Sequence, residues 1–264
     1  MLRETLLEPT QASYIKPSGL LSLKPGDVLF CDFDGPFVDV SDRYYSTYQL
    51  GLADTQAAYQ SRGIVLPINP LSKTQFWQLK QNRTADEAIA RWSGLADEQI
   101  PFFLNRVQQI VNQPTLLHQD SLQAGLHRAV YLLRRYGIRL VVVTLRHSAQ
   151  VMQILREAKL EQAISGIYGT SEVELAYANH SEHKTALLEQ AIAAQKPLHR
   201  RACMVGDTEA DLLAGQSLGV PTIALTCGIR SRSYLQAFNP TYLCPNLLAA
   251  VEQQLCPYGS LQSA

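Results

Sequence analysis

The chain lacks a charge imbalance: 23 Lys and Arg stand against 23 Asp and Glu over 264 residues. That neutrality offers no basic stripe for nucleic acid and no footprint for an anionic membrane. No apolar run approaches the roughly 20 residues needed to cross a bilayer. The opening segment "MLRETLLEPTQASYIKPSG" lacks the basic-then-apolar shape of a secretory leader. Cysteine is sparse and scattered, at Cys31, Cys203, Cys227, Cys244 and Cys256, with no CxxC pair. An odd, unclustered set argues against a disulfide framework or a zinc site and fits reduced thiols in a cytoplasm. Cys31 and Cys203 lie inside apolar runs and read as core filler. Repeats and low-complexity tracts are also missing.

What is present is an ordinary globular balance, 46% hydrophobic and 17% charged. Five short β-rich runs recur: "DVLFCDF" (27–33), "IRLVVVT" (138–144), "GIYGT" (166–170), "RACMVGD" (201–207) and "VPTIALT" (220–226). Continuous apolarity predicts strands buried on both faces, as in a parallel sheet. Helical spacing predicts helices over 120–137, stopping at Gly137, and over 181–195 and 208–219. Strand–helix alternation of this kind predicts an α/β fold with a doubly wound parallel sheet. Between the first two strands lie about 80 residues of helical pattern, too long for a normal crossover. The expected organisation is an N-terminal extension (1–24), an α/β core (25–38 and 118–256), an inserted all-helical module (39–117) and a loose tail (257–264).

The chemistry concentrates at strand ends. Asp32 and Asp34 close the first strand, where open α/β sheets place their ligands. In an ideal strand residues 32 and 34 point the same way, so two like charges require a cation or a shared proton. A turn whose aspartates cap backbone groups explains the pair equally well in isolation. The second strand ends at Thr144, whose hydroxyl and neighbouring N–H groups at a helix start would cradle a phosphate. The fourth ends at Asp207, with Asp211 one turn into the next helix. Lys184 follows Ser181, an expected N-cap, where a cation opposes the helix dipole. The four strand-end and helix-start features together are far less expected by chance than any one of them.

In this order the motifs resemble those of the haloacid dehalogenase-like (HAD) hydrolase superfamily, specifically its phosphoglycolate phosphatase-like branch with a helical cap after the first strand. "DFDGPFVD" is similar to the family's first motif, Thr144 to its second, Lys184 to its third and "GDTEAD" to its fourth. The likeness runs from about Asp27 to Leu255. Pro36 and "TLRH" depart from the branch's usual residues. The resemblance implies a Rossmannoid core and a Mg²⁺-dependent phosphatase for a small phosphorylated metabolite. It implies Asp32 as nucleophile, forming an aspartyl-phosphate, and Asp34 as general acid and then base, protonated at the first step. Mg²⁺ is implied between the Asp32 carboxylate, the Asp34 main-chain carbonyl and Asp207. Thr144 and Lys184 would hold phosphoryl oxygens, Asp211 would orient Lys184, and Asp39 would mark the cap hinge.

Candidate substrate selectors are Arg43, Tyr44, Lys80, Arg83 and Arg146. The fork of Arg146 suits a second anionic group, whereas Lys80 and Arg83, three apart beside Trp77, read first as a solvated helix face. His147, His180 and His183 have no metal-ligand spacing and read as polar surface. Alternatives stay open: a phosphomutase of the β-phosphoglucomutase type, or a regulator that binds phosphorylated ligands without turnover. A dehalogenase has no use for Asp34. A receiver domain leaves the helical insertion unexplained. Nucleic-acid and membrane partners are not expected, and a monomer or homodimer is.

Overall fold

The computed structural model describes residues 22–171, 180–195 and 201–255. Most of the N-terminal extension, the tail and Cys256 lie outside the described residues. β1 (Val28–Cys31), β4 (Arg139–His147), β5 (Ile164–Thr170), β6 (Ala202–Gly206), β7 (Thr222–Leu225) and β8 (Tyr242–Cys244) form one parallel sheet in the order β5-β4-β1-β6-β7-β8. The first five correspond to the apolar runs expected from sequence; β8 extends the sheet by a sixth strand.

Strand alternation sends neighbouring side chains to opposite faces. Leu29 and Cys31 of β1 join Leu140, Val142 and Cys203 under α6 (Leu126–Arg135), α7 (Ser148–Glu157) and α10 (Leu247–Leu255). Val28 and Phe30 join Val141, Val143 and Met204 under α8 (Ser181–Ala194) and α9 (Glu209–Ser217). Both faces are covered, which is why the strands read as continuous apolar runs. Cys31 and Cys203 are buried in this core, where burial pushes both thiols far above their ordinary range.

The helical interval comprises α1 (Ser41–Gln60), α2 (Lys73–Gln81), α3 (Asp86–Trp92), α4 (Ile100–Ile110) and α5 (Pro114–Leu117). The first four pack on an apolar cluster of their own, including Tyr48, Leu52, Phe76, Ile89, Phe103 and Val107. A short antiparallel ribbon joins them to the sheet: β2 (Val38–Asp39) pairs with β3 (Ser121–Leu122). Asp39 Oδ1 accepts from the Ser41 amide at 2.8 Å, just before α1, whose N-cap is Val40.

Three expectations need correction. The helix predicted from residue 120 begins only at Leu126, because 121–122 pair as β3 and Gly125 takes φ 80°. β4 runs to His147, so Thr144 lies inside the strand rather than at its end, and the following helix starts at Ser148. Its ladder with β5 slips between Val143 and His147, which frees the Thr144 segment from regular pairing. In α8 the N-cap is His180, and Ser181 is already helical. No helix among the described residues is long and apolar enough to cross a membrane.

Candidate active site

β1 stops at Cys31 and the chain turns tightly at once. The Phe37 amide donates to the Phe33 carbonyl at 2.9 Å and the Gly35 amide to the Val38 carbonyl at 2.8 Å. Gly35 sits at φ 90°, in the region L side chains avoid. A Cβ at this position would overlap the Asp207 carboxylate. Gly35→Ala is therefore expected to cost about 1–3 kcal/mol, read as a lowered urea midpoint, and to displace Asp207.

The turn separates the two aspartates that an ideal strand would align. Asp32 faces α8: Lys184 Nζ lies 2.8 Å from Asp32 Oδ1 and 2.8 Å from Asp211 Oδ1, and donates to the Val143 carbonyl at 3.1 Å. Two carboxylates and a carbonyl thus surround an ammonium that is almost wholly buried. The two carboxylates outweigh burial and raise the Lys184 pKa above its ordinary value, so the lysine is cationic. Asp211 Oδ2 accepts from the Thr208 amide at 3.1 Å and the Thr208 hydroxyl at 2.8 Å, a cap that fixes its orientation toward Lys184.

Asp207 is fully buried at the end of β6. Its Oδ2 accepts from the Ile229 amide at 2.6 Å, while Oδ1 is buried with no hydrogen-bond partner among the described residues. Asp32, Asp207 and Asp211 bring one oxygen each within 4.8 Å of one another. Burial pushes Asp32 up to about 7, with Asp211 adding to the rise and Lys184 opposing it. Burial, Asp32 and Asp211 push Asp207 well above the ordinary carboxylate range. A hard divalent cation relieves such crowding, and an orphaned carboxylate oxygen beside Asp32 is the donor it takes. The residues present fit Mg²⁺.

Asp34 faces the other way, into a ring of alternating charge. Arg43 Nη2 lies 2.7 Å from Asp34 Oδ2 and Arg146 Nη1 2.8 Å from Asp34 Oδ1. Asp120 bridges the same arginines, at 2.8 Å to Arg43 Nε and 2.7 Å to Arg146 Nη1. Burial raises the Asp34 pKa, but Arg146 and Arg43 outweigh it and hold the carboxyl below the ordinary range. With nothing bound, the arginines therefore favour Asp34 as the carboxylate. Arg146 keeps Nε and Nη2 buried without hydrogen-bond partners among the described residues.

A cleft of about 70 Å³ opens over this floor, reaching Asp32, Asp34, Thr144, Arg146 and Lys184. On the side of the helical insertion its rim includes Tyr44, Lys80 and Arg83, and on the side of the sheet Arg230. Lys80 and Arg83 are not a solvated helix face. Lys80 is buried and pairs with Asp86 at 2.7 Å, whereas Arg83 lies beyond the end of α2 at φ 60° and pairs with Glu209 at 3.0 Å. His180 and His183 are exposed and His147 is half-buried, the last serving as N-cap of α7. Asp120, Glu209 and Arg230 had no signal of their own in the sequence. Each matters through a partner distant along the chain.

Comparisons with known proteins bear on the family and the fold. The family model described as haloacid dehalogenase-like hydrolase matches residues 28–225. Pyrophosphatase PpaX of Bacillus mycoides is 24% identical over 225 residues, covering 84% of this chain and 93% of that protein. A crystal structure described as a predicted phosphatase from Clostridium acetobutylicum superposes with a TM-score of 0.60 at 20% identity, over 89% of this chain and 99% of that one. Another, described as a predicted phosphoglycolate phosphatase from Haemophilus somnus, gives 0.58 at 17% identity, over 89% and 99% of the two chains. With β1 to β7 matched and the acidic floor at the ends of β1 and β6, the chain belongs to the haloacid dehalogenase-like hydrolase family.

Proposed function

We propose that this hydrolase is a phosphatase that cleaves a small phosphorylated metabolite through an aspartyl-phosphate on Asp32, with Mg²⁺ as its cation. The observation that carries this reading is the convergence of Lys184 and Asp207 on Asp32 at the mouth of β1. Phosphoryl transfer asks for positioning and charge stabilisation more than for covalent machinery, and this floor supplies both.

An Asp32 oxygen attacks phosphorus, and the bond to the leaving oxygen breaks with its electron pair. Thr144 and Lys184 hold the non-bridging oxygens while the leaving oxygen takes the proton of Asp34, which is left as the carboxylate. Water then attacks the phosphorus of the acyl phosphate and gives its proton to Asp34, releasing orthophosphate and restoring the Asp32 carboxylate. Asp34, held ionised by two arginines, suits the role of base. To act as the acid in the first step it must lose an arginine. The unpartnered Nε and Nη2 of Arg146 offer a substrate oxygen the means of drawing that guanidinium away. Bound between Asp32, Asp207 and the Asp34 carbonyl, Mg²⁺ would screen the nucleophile from the phosphate it attacks. The cap helices cover the cleft and exclude water.

Phosphate release measured across a panel of small phosphorylated metabolites tests the reading. Turnover with Mg²⁺, its loss in EDTA and its return with added Mg²⁺ are expected. No release from any of the panel would overturn it, and isomerisation without release would make the protein a phosphomutase.

A further inference from the structure

The core loop 228–231 touches the acidic floor at one end and the cap at the other. The Ile229 amide donates to Asp207 Oδ2 at 2.6 Å, the one hydrogen bond that orients this carboxylate among the described residues. Gly228 packs so closely on Asp207 that any Cβ there would overlap the carboxylate. One residue further on, Arg230 Nη1 donates to the Lys80 carbonyl at 3.2 Å, and the Ser231 amide donates to the Gln81 carbonyl at 2.8 Å. Those are carbonyls in the last turn of α2, where a cation is favoured, and the Lys80 carbonyl also accepts from the Arg83 amide at 3.1 Å. The core loop therefore caps a cap-module helix.

Glu209 closes the circuit. It lies two residues after Asp207 and takes the Arg230 fork at 2.7 and 3.1 Å. From the cap side it takes Arg83 Nε at 3.0 Å. Glu209 and Arg230 are largely buried, whereas the Arg83 side chain is 47% exposed. An undocked α2 would take away Arg83 and both carbonyl acceptors, and the loop that holds Asp207 would lose its outer anchors.

We propose that Glu209 and Arg230 are positioning residues that couple docking of α2 to the orientation of Asp207, so that cap closure and cation binding favour each other. This rests on the reading of Asp207 as a cation ligand. Coupling between two sites is reciprocal: if a docked cap tightens the cation site, the cation must tighten the docked cap by the same factor.

Calorimetric titration of Mg²⁺ into the intact chain tests the first half. Arg83→Gln touches neither the floor nor the loop, and removing a half-exposed arm leaves the fold intact. It is expected to weaken Mg²⁺ binding about threefold, and Glu209→Gln about tenfold, with Arg83→Lys restoring most of the loss. Hydrogen exchange tests the second half: Mg²⁺ is expected to slow exchange of the Ser231 amide in the wild-type chain, and to do so less in Arg83→Gln. Wild-type Mg²⁺ binding that Asp207→Asn weakens but Arg83→Gln and Glu209→Gln leave within twofold would overturn the coupling alone. A wild-type chain that binds no Mg²⁺, or binds it as well after Asp207→Asn, would overturn the cation reading and the coupling with it.

Discussion

Asp32→Asn is expected to abolish phosphate release, by at least about a thousandfold, in a chain that unfolds no earlier than the wild type. The two halves of that expectation have separate causes. An amide oxygen of the same size keeps the hydrogen bond that the Phe33 amide donates to Asp32 Oδ1 at 2.7 Å, so the turn after β1 retains its shape. The amide is a poor nucleophile, however, and cannot form the acyl phosphate. For stability, three carboxylates share the floor with a single ammonium, and burial already pushes Asp32 and Asp207 upward. Removing one negative charge lessens that repulsion, while Lys184 keeps Asp211 and the Val143 carbonyl. Thermal unfolding in EDTA beside a phosphate-release assay checks both. Turnover within about tenfold of wild type would place the nucleophile elsewhere.

How much of this was legible beforehand depends on how far apart the partners lie. The buried strands of the sheet announced themselves by continuous apolarity, and Asp32, Thr144 and Asp207 by their places at or near strand ends. Their order along the chain, with Lys184 between the last two, was enough to suggest the family. β8 was not read, because Tyr242–Cys244 is three residues long and sits between prolines at 240 and 245, too short for any period to show. The start of α6 was placed too early, since nothing local says that Ser121 and Leu122 will pair with a ribbon some 80 positions back.

The ring around Asp34 is the clearest case of what one sequence hides. Arg43 and Asp120 lie 77 residues apart and meet only because the β2–β3 ribbon brings the two ends of the helical insertion together. Read singly, Arg43 was a candidate substrate selector and Asp120 was not singled out at all. Together with Arg146 they decide the protonation of Asp34, which strand geometry alone had described as a like-charge neighbour of Asp32. The same reasoning applies to Lys80, Arg83 and Arg230, whose meaning comes from Asp86 and Glu209.

Lys184→Met is expected to remove phosphatase activity by at least about a hundredfold and to destabilise the fold by about 3 kcal/mol or more. Methionine keeps the apolar stem on α8 but leaves Asp32 and Asp211 facing each other in the core without a cation. Breaking one partner out of a buried ion cluster costs far more than losing a surface pair, because the remaining charges cannot regain water. The size of that cost is conditional on what remains. In an Asp32→Asn background one of the two abandoned carboxylates is already neutral, and Asp211 still accepts from the Thr208 amide and hydroxyl. Lys184→Met is then expected to cost about 1–3 kcal/mol less than in the wild type. Urea unfolding of the four proteins in EDTA, closed into a double-mutant cycle, measures that difference directly. Costs that add to within about 0.5 kcal/mol would mean that Lys184 does not balance Asp32, and the charge arrangement proposed for the nucleophile would fall.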